Sequence, residues 1–265
     1  MKYIFLKELK MSCKALAVWS AIMFLMAAFG MIEFASLKDN LDVLMNGVSS
    51  IPRIVRVIFG VDEIAINTPL GAYACILYFC GIIAFAFAVY TGVFIIARDE
   101  RFKTSEFLYA KPHSRSKIVM AKMLVAVVNM IILAFVAFIG LAVFLAPLFP
   151  GANLMGAIIV TTIGMFFTML VFLAVGLFCA AASNKYGQGL FRSFALLILC
   201  YVLSFIIEYT GNINFISFLT PIRWFNTLSI TQDGIGFFYV LLAAVVVAVG
   251  AWGTLKFYNR RDIQA

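Results

Sequence analysis

The sequence contains few of the side chains that most enzymes use for chemistry. His113 is its only histidine, and 12% of its 265 residues are charged, whereas about a quarter of a soluble domain is charged. No stretch matches the GxxxxGK[ST] phosphate loop or the HExxH zinc motif. We therefore expect no catalytic residue, no metal site and no bound cofactor in this chain, and no Ser–His pair in its apolar segments.

Hydrophobic residues make up 65% of the chain, which is typical of an integral membrane protein. The formal net charge is +8, but the basic residues cluster at the ends of apolar runs, where they face anionic lipid headgroups. This placement argues against a nucleic-acid partner and for membrane lipids. The five cysteines lie in or beside apolar runs without ligand spacing, so we interpret them as small apolar residues.

Six apolar runs are long enough to cross a membrane, which takes about 20 residues. They predict an all-α membrane protein with six transmembrane helices, forming a single transmembrane domain over residues 1–265. The predicted spans are 15–34, 70–96, 119–145, 154–182, 190–207 and 237–255.

Two shorter segments have helical patterns outside these spans. Residues 1–14 carry four lysines on an apolar background, which predicts an N-terminal interfacial helix leading into a retained first span. Residues 41–58 have one apolar helical stripe, and Ser49-Ser50 followed by Pro52 is expected to divide it into two pieces.

The distribution of basic residues predicts the orientation of the chain. Sixteen of the 20 Lys and Arg residues lie at the two termini, in the 98–122 loop and in the 183–192 turn, which alternate with loops that hold the other four. The positive-inside rule then puts both termini and the 98–122 loop in the cytoplasm.

The 98–122 loop contains the densest collection of charge in the chain, with seven Lys or Arg residues. Thr104 can cap a short helix in which Glu106 lies near the positive end, and Pro112 disfavours helical geometry at the residue before it. The loop therefore predicts one short amphipathic helix between spans two and three. The alternative is a solvated loop that merely obeys the positive-inside rule.

The spans offer almost no ionisable groups at membrane depth, which argues against a proton-driven transporter. Energy for transport would then come from outside the chain. Asn129, the lone uncharged polar residue of the third span, is expected to bond a neighbouring helix. In the fourth span, Gly156, Gly164 and Gly176 are candidates for close helix approach.

The loop residues follow a recognisable order: an acidic residue, a Thr-x-Glu helix start, two large apolar residues, a Pro-x-Ser-Arg turn and a downstream Lys. With six spans and Lys7-Glu8-Leu9 before the first, this order resembles the permease subunits of bacterial ABC-2 type ABC transporters. The family's glycine before the Thr is replaced by Lys103. The matching loop residues are Glu100, Thr104, Glu106, Phe107, Leu108, Pro112, Arg115 and Lys122.

The resemblance implies that these loop residues form a coupling helix that docks on a separate ABC ATP-binding subunit, where ATP and Mg²⁺ are bound. A second permease, identical or different, would complete the translocation path in the bacterial cytoplasmic membrane. Relatives export antimicrobial peptides, lipid-like molecules or sodium, and we expect an amphipathic substrate, with antimicrobial peptide resistance as one such role. The alternative function is a membrane sensor or scaffold that recruits a cytoplasmic partner without transport.

Overall fold

The computed structural model describes residues 2–37, 40–62, 68–101, 115–145, 154–183, 185–211 and 214–260. Within these ranges all regular structure is helical. The helices are α1 (Lys2–Leu37), α2 (Leu41–Ser50), α3 (Arg53–Ile58), α4 (Pro69–Arg101), α5 (Arg115–Leu145), α6 (Leu154–Ala181), α7 (Tyr186–Thr210), a 3-10 helix (Asn214–Leu219), α8 (Pro221–Trp224), α9 (Thr227–Asp233) and α10 (Phe237–Arg260).

Six of these helices, α1, α4, α5, α6, α7 and α10, are long and apolar enough to cross a membrane. This confirms the predicted all-α membrane fold with six spans. The segment predicted as an interfacial helix forms the first turns of α1 without a break. Its position at a membrane interface and the single-domain assignment remain predictions.

The long helices run up and down, so the bundle has two distinct ends. Glu8 of α1 contacts Arg98 of α4, whereas a side chain on Gly30 would meet Ile76, so α1 and α4 are antiparallel. Asn259 of α10 donates a 3.0 Å hydrogen bond to Ser116 at the start of α5. We call the end that holds Lys2, Arg101, Arg115 and Arg260 the terminal end, and the opposite end the distal end.

Helices α4 and α6 form the centre of the bundle, where 67% and 61% of their most apolar windows are buried, against 22% in α7 and 17% in α10. Their backbones approach closely because glycines face each other. A Cβ added to Gly92 would lie 2.7 Å from the Leu173 carbonyl oxygen, and one on Gly176 would lie 2.7 Å from that of Val89. The prediction for Gly176 is therefore confirmed.

The two other glycines predicted to allow close packing on α6 differ in outcome. A Cβ on Gly164 would lie 2.9 Å from Cβ of Phe225, so Gly164 does accommodate a neighbour. No described residue lies within 4 Å of the corresponding position on Gly156, so the described helices do not make the close approach predicted there. Gly156 lies only two residues after the beginning of α6, at the distal end, where the described helices leave space.

The short distal helices confirm the predicted break in residues 41–58, because α2 ends at Ser50 and Pro52 caps α3. Polar contacts attach α3 to the bundle. Arg53 Nε donates to Asp62 at 2.9 Å, its Nη2 donates to the Glu208 carbonyl at 3.4 Å, and Tyr78 donates to the Ile58 carbonyl at 3.0 Å. The distal ends of α4 and α7 are thereby linked through α3.

Candidate functional site

Most of the residues predicted to couple this chain to an ATPase fall in the loop between α4 and α5. Glu100 lies on α4, but its side chain is outside the described part of the structure. The predicted coupling residues that lie wholly outside the described residues are Thr104, Glu106, Phe107, Leu108 and Pro112.

The two remaining predicted residues lie on α5 in different surroundings. Arg115 is the first residue of the helix and is exposed. Lys122, two turns further on, is 0% exposed. Its side chain therefore faces the interior of the bundle, and any part it has in coupling is exerted there and not at a docking surface.

A buried ion pair joins the beginning of α1 to the end of α4. Arg98 Nη2 donates to Glu8 Oε2, and the two side chains are 2% and 0% exposed. The sequence does not predict this pair, because its pattern places Arg98 in the charged 98–122 loop and not in a span. A signal was present, since Glu8 is the only acidic residue before Glu33 in a lysine-rich segment.

Helix α5 adds polar groups at the same level of the bundle. Ile4 of α1 packs with Ile118 of α5, and the Ser12 hydroxyl donates to Asn129 Oδ1 at 3.4 Å. Glu8 lies midway between these two contacts on α1, and Lys122 lies one turn after Ile118. This register brings Glu8 and Lys122 to the same height, and the bond from Ser12 confirms that Asn129 pairs with a neighbouring helix.

We call Glu8, Ser12, Arg98, Lys122 and Asn129 the polar layer. Glu8 Oε1 and the Nε and Nη1 of Arg98 make no hydrogen bond to any described residue. Incompletely satisfied polar groups in a low-dielectric interior are costly. Within this layer, Arg98 lies one turn before the end of α4 and Lys122 lies two turns after the beginning of α5, the two helices that flank the loop.

A second concentration of polar groups lines a cavity at the distal end. The cavity has a volume of about 130 Å³ and lies between α4, α6, α7 and the segment from α8 to α9. Its apolar walls include Leu77, Phe85 and Met165. Its polar lining consists of Tyr78, Thr161, Thr168, Tyr201, Ser204, Glu208, Arg223, Asn226 and Thr227.

Glu208 and Arg223 form an ion pair in this lining. Arg223 Nη1 lies 3.6 Å from Glu208 Oε2 and donates to the Ser204 carbonyl at 3.3 Å. The side chains of Arg223 and Glu208 are 15% and 19% exposed, so solvent reaches both. Pro221 at the first turn of α8 and a 3.0 Å bond from Trp224 Nε1 to the Phe218 carbonyl hold Arg223 in place.

The described residues contain no group of three or more His, Cys, Asp or Glu side chains that could hold a metal ion. All five cysteines are free. Three of them are buried or half-buried on α4 and α7, and Cys179 is buried on α6. These four fit the predicted interpretation as small apolar residues, whereas Cys13 on α1 is exposed.

Comparison with protein families agrees with this architecture. The family described as "ABC-2 family transporter protein" matches residues 3–262. The chain belongs to this family. No curated protein with a similar sequence was found. As an ABC-2 family member it is a multi-pass membrane protein and a permease component of an ABC transporter, a transport component that generally is not itself catalytic.

The ABC-2 family assignment also gives the polar layer a context. Membership implies association with ABC ATP-binding subunits. The loop between α4 and α5 is the one most strongly charged loop of the sequence. The polar layer connects both helices that flank this loop to α1.

Proposed function

We propose that this chain is the permease subunit of an ATP-driven exporter in the bacterial cytoplasmic membrane. It works with separate ATP-binding subunits and with a second permease, identical or different, which together with it forms the translocation path. The exported molecule is amphipathic or lipid-like, with antimicrobial peptides as one such class. ATP and Mg²⁺ are bound and used by the partner ATPase.

The observation that carries this proposal is the buried pair of Glu8 and Arg98. Arg98 lies one turn of α4 before the loop, and Lys122 lies on α5 after the loop. Both side chains are buried. A displacement of the loop is therefore passed to α1, α4 and α5 together. The bundle offers a rigid connection from a docking loop to three membrane-spanning helices.

In this proposal the loop forms a coupling helix that docks in a groove of the ATPase. Phe107 and Leu108 provide the apolar anchors, since buried apolar residues commonly dominate such interfaces. Glu106 holds the beginning of the helix or pairs with a basic residue of the ATPase, and Pro112 fixes the exit into α5. Thr104 caps the helix, and Glu100 and Arg115 flank it.

The test is a double variant, Phe107→Ala with Leu108→Ala, produced together with the ABC ATP-binding subunit that supports export by the unaltered chain. We expect normal membrane insertion, reduced co-purification of the ATPase and loss of export. The matched controls are Lys103→Ala and His113→Ala, which lie in the same loop and should have little effect. Normal ATPase binding and normal export by the double variant would contradict the proposal. If the unaltered chain binds the ATPase but exports nothing, the sensor function is favoured.

The proposed orientation puts the terminal end in the cytoplasm. In a background without native cysteines, Gln264→Cys and Lys111→Cys should be protected from an impermeant thiol reagent added to intact cells, whereas Ser50→Cys should react. Ser50 is exposed at the distal end of α2. Asp62 is a poorer reporter, because its side chain is 7% exposed and bound by Arg53 and Arg56. Reaction of the reagent with Lys111→Cys in intact cells would contradict the proposed orientation.

A further inference from the structure

We propose that the distal cavity binds a zwitterionic headgroup, an ammonium joined to a phosphodiester as in phosphoethanolamine, with Arg223 receiving the phosphate and Glu208 the ammonium. This inference rests on the proposed export of an amphipathic molecule. It assigns a chemical class to the part of that molecule that the permease recognises.

The size of the cavity limits its occupant. Sites for drug-sized ligands have volumes of roughly 300–1,000 Å³, whereas this cavity has about 130 Å³. It accommodates a small polar group and excludes a folded peptide or a whole lipid. The cavity therefore fits the headgroup of an amphiphile whose remaining part stays outside it.

The charge of the cavity selects among small polar groups. Glu208 and Arg223 are the only charged residues in its described lining, so its formal net charge is zero. A ligand with one charge would pair with one of them and leave the other without a counter-ion in a largely buried site, which is costly. A zwitterion exchanges the 3.6 Å protein ion pair for two new ion pairs and keeps both charges compensated.

The remaining hydrogen-bonding groups match the two halves of such a headgroup. Arg223 uses only Nη1 in its contacts with described residues, which leaves Nε and Nη2 as donors for phosphate oxygens. The side-chain carbonyl of Asn226 accepts from the Leu228 amide at 3.0 Å, so its NH₂ is a further donor. Thr168 donates to the Gly164 carbonyl at 3.2 Å, and its oxygen still accepts from an ammonium.

The surroundings of the cavity favour a lipid as the source of the headgroup. Phe215, Phe218 and Leu219 of the 3-10 helix are 77%, 53% and 51% exposed, and Ile54 and Phe59 near α3 are 57% and 52% exposed. Large apolar side chains exposed on short helices are typical of segments that lie in the membrane interface. The cavity is thus at headgroup level, while the apolar faces of the long helices are available to acyl chains.

The experiment measures binding to the purified full-length permease in detergent. The probes are short-chain phosphatidylethanolamine, phosphatidylglycerol with the same acyl chains, and free phosphoethanolamine, followed by native mass spectrometry or calorimetry. We expect phosphatidylethanolamine to bind at least about tenfold more tightly than phosphatidylglycerol, the factor that one charge-assisted hydrogen bond provides. Equal binding of the two lipids overturns the proposal.

Glu208→Gln distinguishes a binding role from a structural one. This variant leaves Arg223 as the only charge among the described lining residues, so the preference should reverse in favour of the anionic lipid. Glu208→Gln with Arg223→Gln restores neutrality and should bind both lipids equally weakly. Glu33→Gln, which removes an exposed carboxylate at the distal end of α1, is the matched control and should behave like the unaltered chain. An unchanged preference in both cavity variants overturns the proposal.

The two sources of the headgroup give different results. Competition by free phosphoethanolamine assigns recognition to the headgroup alone, and binding only of the short-chain lipid assigns it to a lipid that contacts the bundle as well. Both results support the site. The binding measurement needs no ATPase, so it is independent of the coupling test. Selective lipid binding, together with normal ATPase association and export by the Phe107 and Leu108 double variant, would contradict only the proposed coupling. Normal coupling without selective lipid binding would contradict only this site.

Discussion

Each end of the bundle contains a Glu–Arg pair that joins two helices, and the two pairs differ in almost every physical respect. At the terminal end, Glu8 and Arg98 are 0% and 2% exposed and in direct contact. At the distal end, Glu208 and Arg223 are 19% and 15% exposed, lie 3.6 Å apart and line a cavity. The first pair is enclosed by α1, α4 and α5, whereas solvent reaches the second.

The two pairs differ in how much it costs to separate the partners. A dry pair resists separation because either partner alone would be a buried uncompensated charge. A partly hydrated pair exchanges its partner at a lower cost, because water compensates both groups during the exchange. This contrast supports the two proposals made above, transmission of movement by the terminal pair and ligand recognition by the distal pair.

The largest expected effect is on the terminal pair. Glu8→Ala should lower the free energy of unfolding by roughly 3–5 kcal/mol, because Arg98 would remain buried without its counter-ion. Unfolding of the purified permease in mixed detergent would measure this change.

Glu33→Ala is the control for that measurement, since Glu33 is exposed near the other end of α1. Exposed positions away from special contacts typically change stability within about 0.5 kcal/mol. If Glu8→Ala and Glu33→Ala had equal effects, the terminal pair would not be the dry contact described here.

The close contact between α4 and α6 joins the two helices that run between the terminal and distal ends. Gly176→Ala should destabilise the bundle by about 1–3 kcal/mol, because its Cβ would lie 2.7 Å from the Val89 carbonyl oxygen and the helices would have to separate. Gly156→Ala places its Cβ where no described residue lies within 4 Å, so it should not destabilise the bundle. Thermal unfolding of both variants would test this, and equal melting temperatures would contradict it.

A buried polar contact at the distal end tests whether burial, or location at one end of the bundle, decides how much a polar contact stabilises the protein. Tyr73 of α4 and Thr161 of α6 share a hydrogen bond and are 0% and 1% exposed. Tyr73→Phe should cost about 0.6 kcal/mol, the average for hydrogen bonds between membrane helices. The same unfolding assay measures this change, with Tyr209→Phe at an exposed ring as the control. A loss of stability only in Tyr73→Phe would show that buried polar contacts stabilise both ends of the bundle.

The smallest expected effect on stability is at the distal ion pair. Replacing both partners, Glu208→Gln with Arg223→Gln, should change the free energy of unfolding by only about 0.5 kcal/mol, because the pair is partly exposed and well separated. The same unfolding measurement applies. A loss of several kcal/mol would show that this pair is structural and would weaken its assignment to ligand binding.

The sequence analysis predicted the number and positions of the long helices, because runs of about 20 apolar residues have few alternatives to a transmembrane helix. It also predicted the break between α2 and α3, since Pro52 cannot continue a helix by donating a backbone hydrogen bond. The coupling residues in the loop, from Thr104 to Pro112, stay predictions. Arg98 and Lys122 were assigned to the same charged loop, although both are buried in the bundle.

What the amino-acid sequence determines by itself in this protein is the membrane-spanning pattern, because hydropathy and helix length are properties of contiguous residues. The polar groups that meet in space are determined by the tertiary structure. Glu8 meets Arg98 across 90 residues, and Glu208 meets Arg223 only because α8 folds back on the end of α7. Contacts between helices depend on the rotation and register of each helix, and only packing of the whole bundle fixes these.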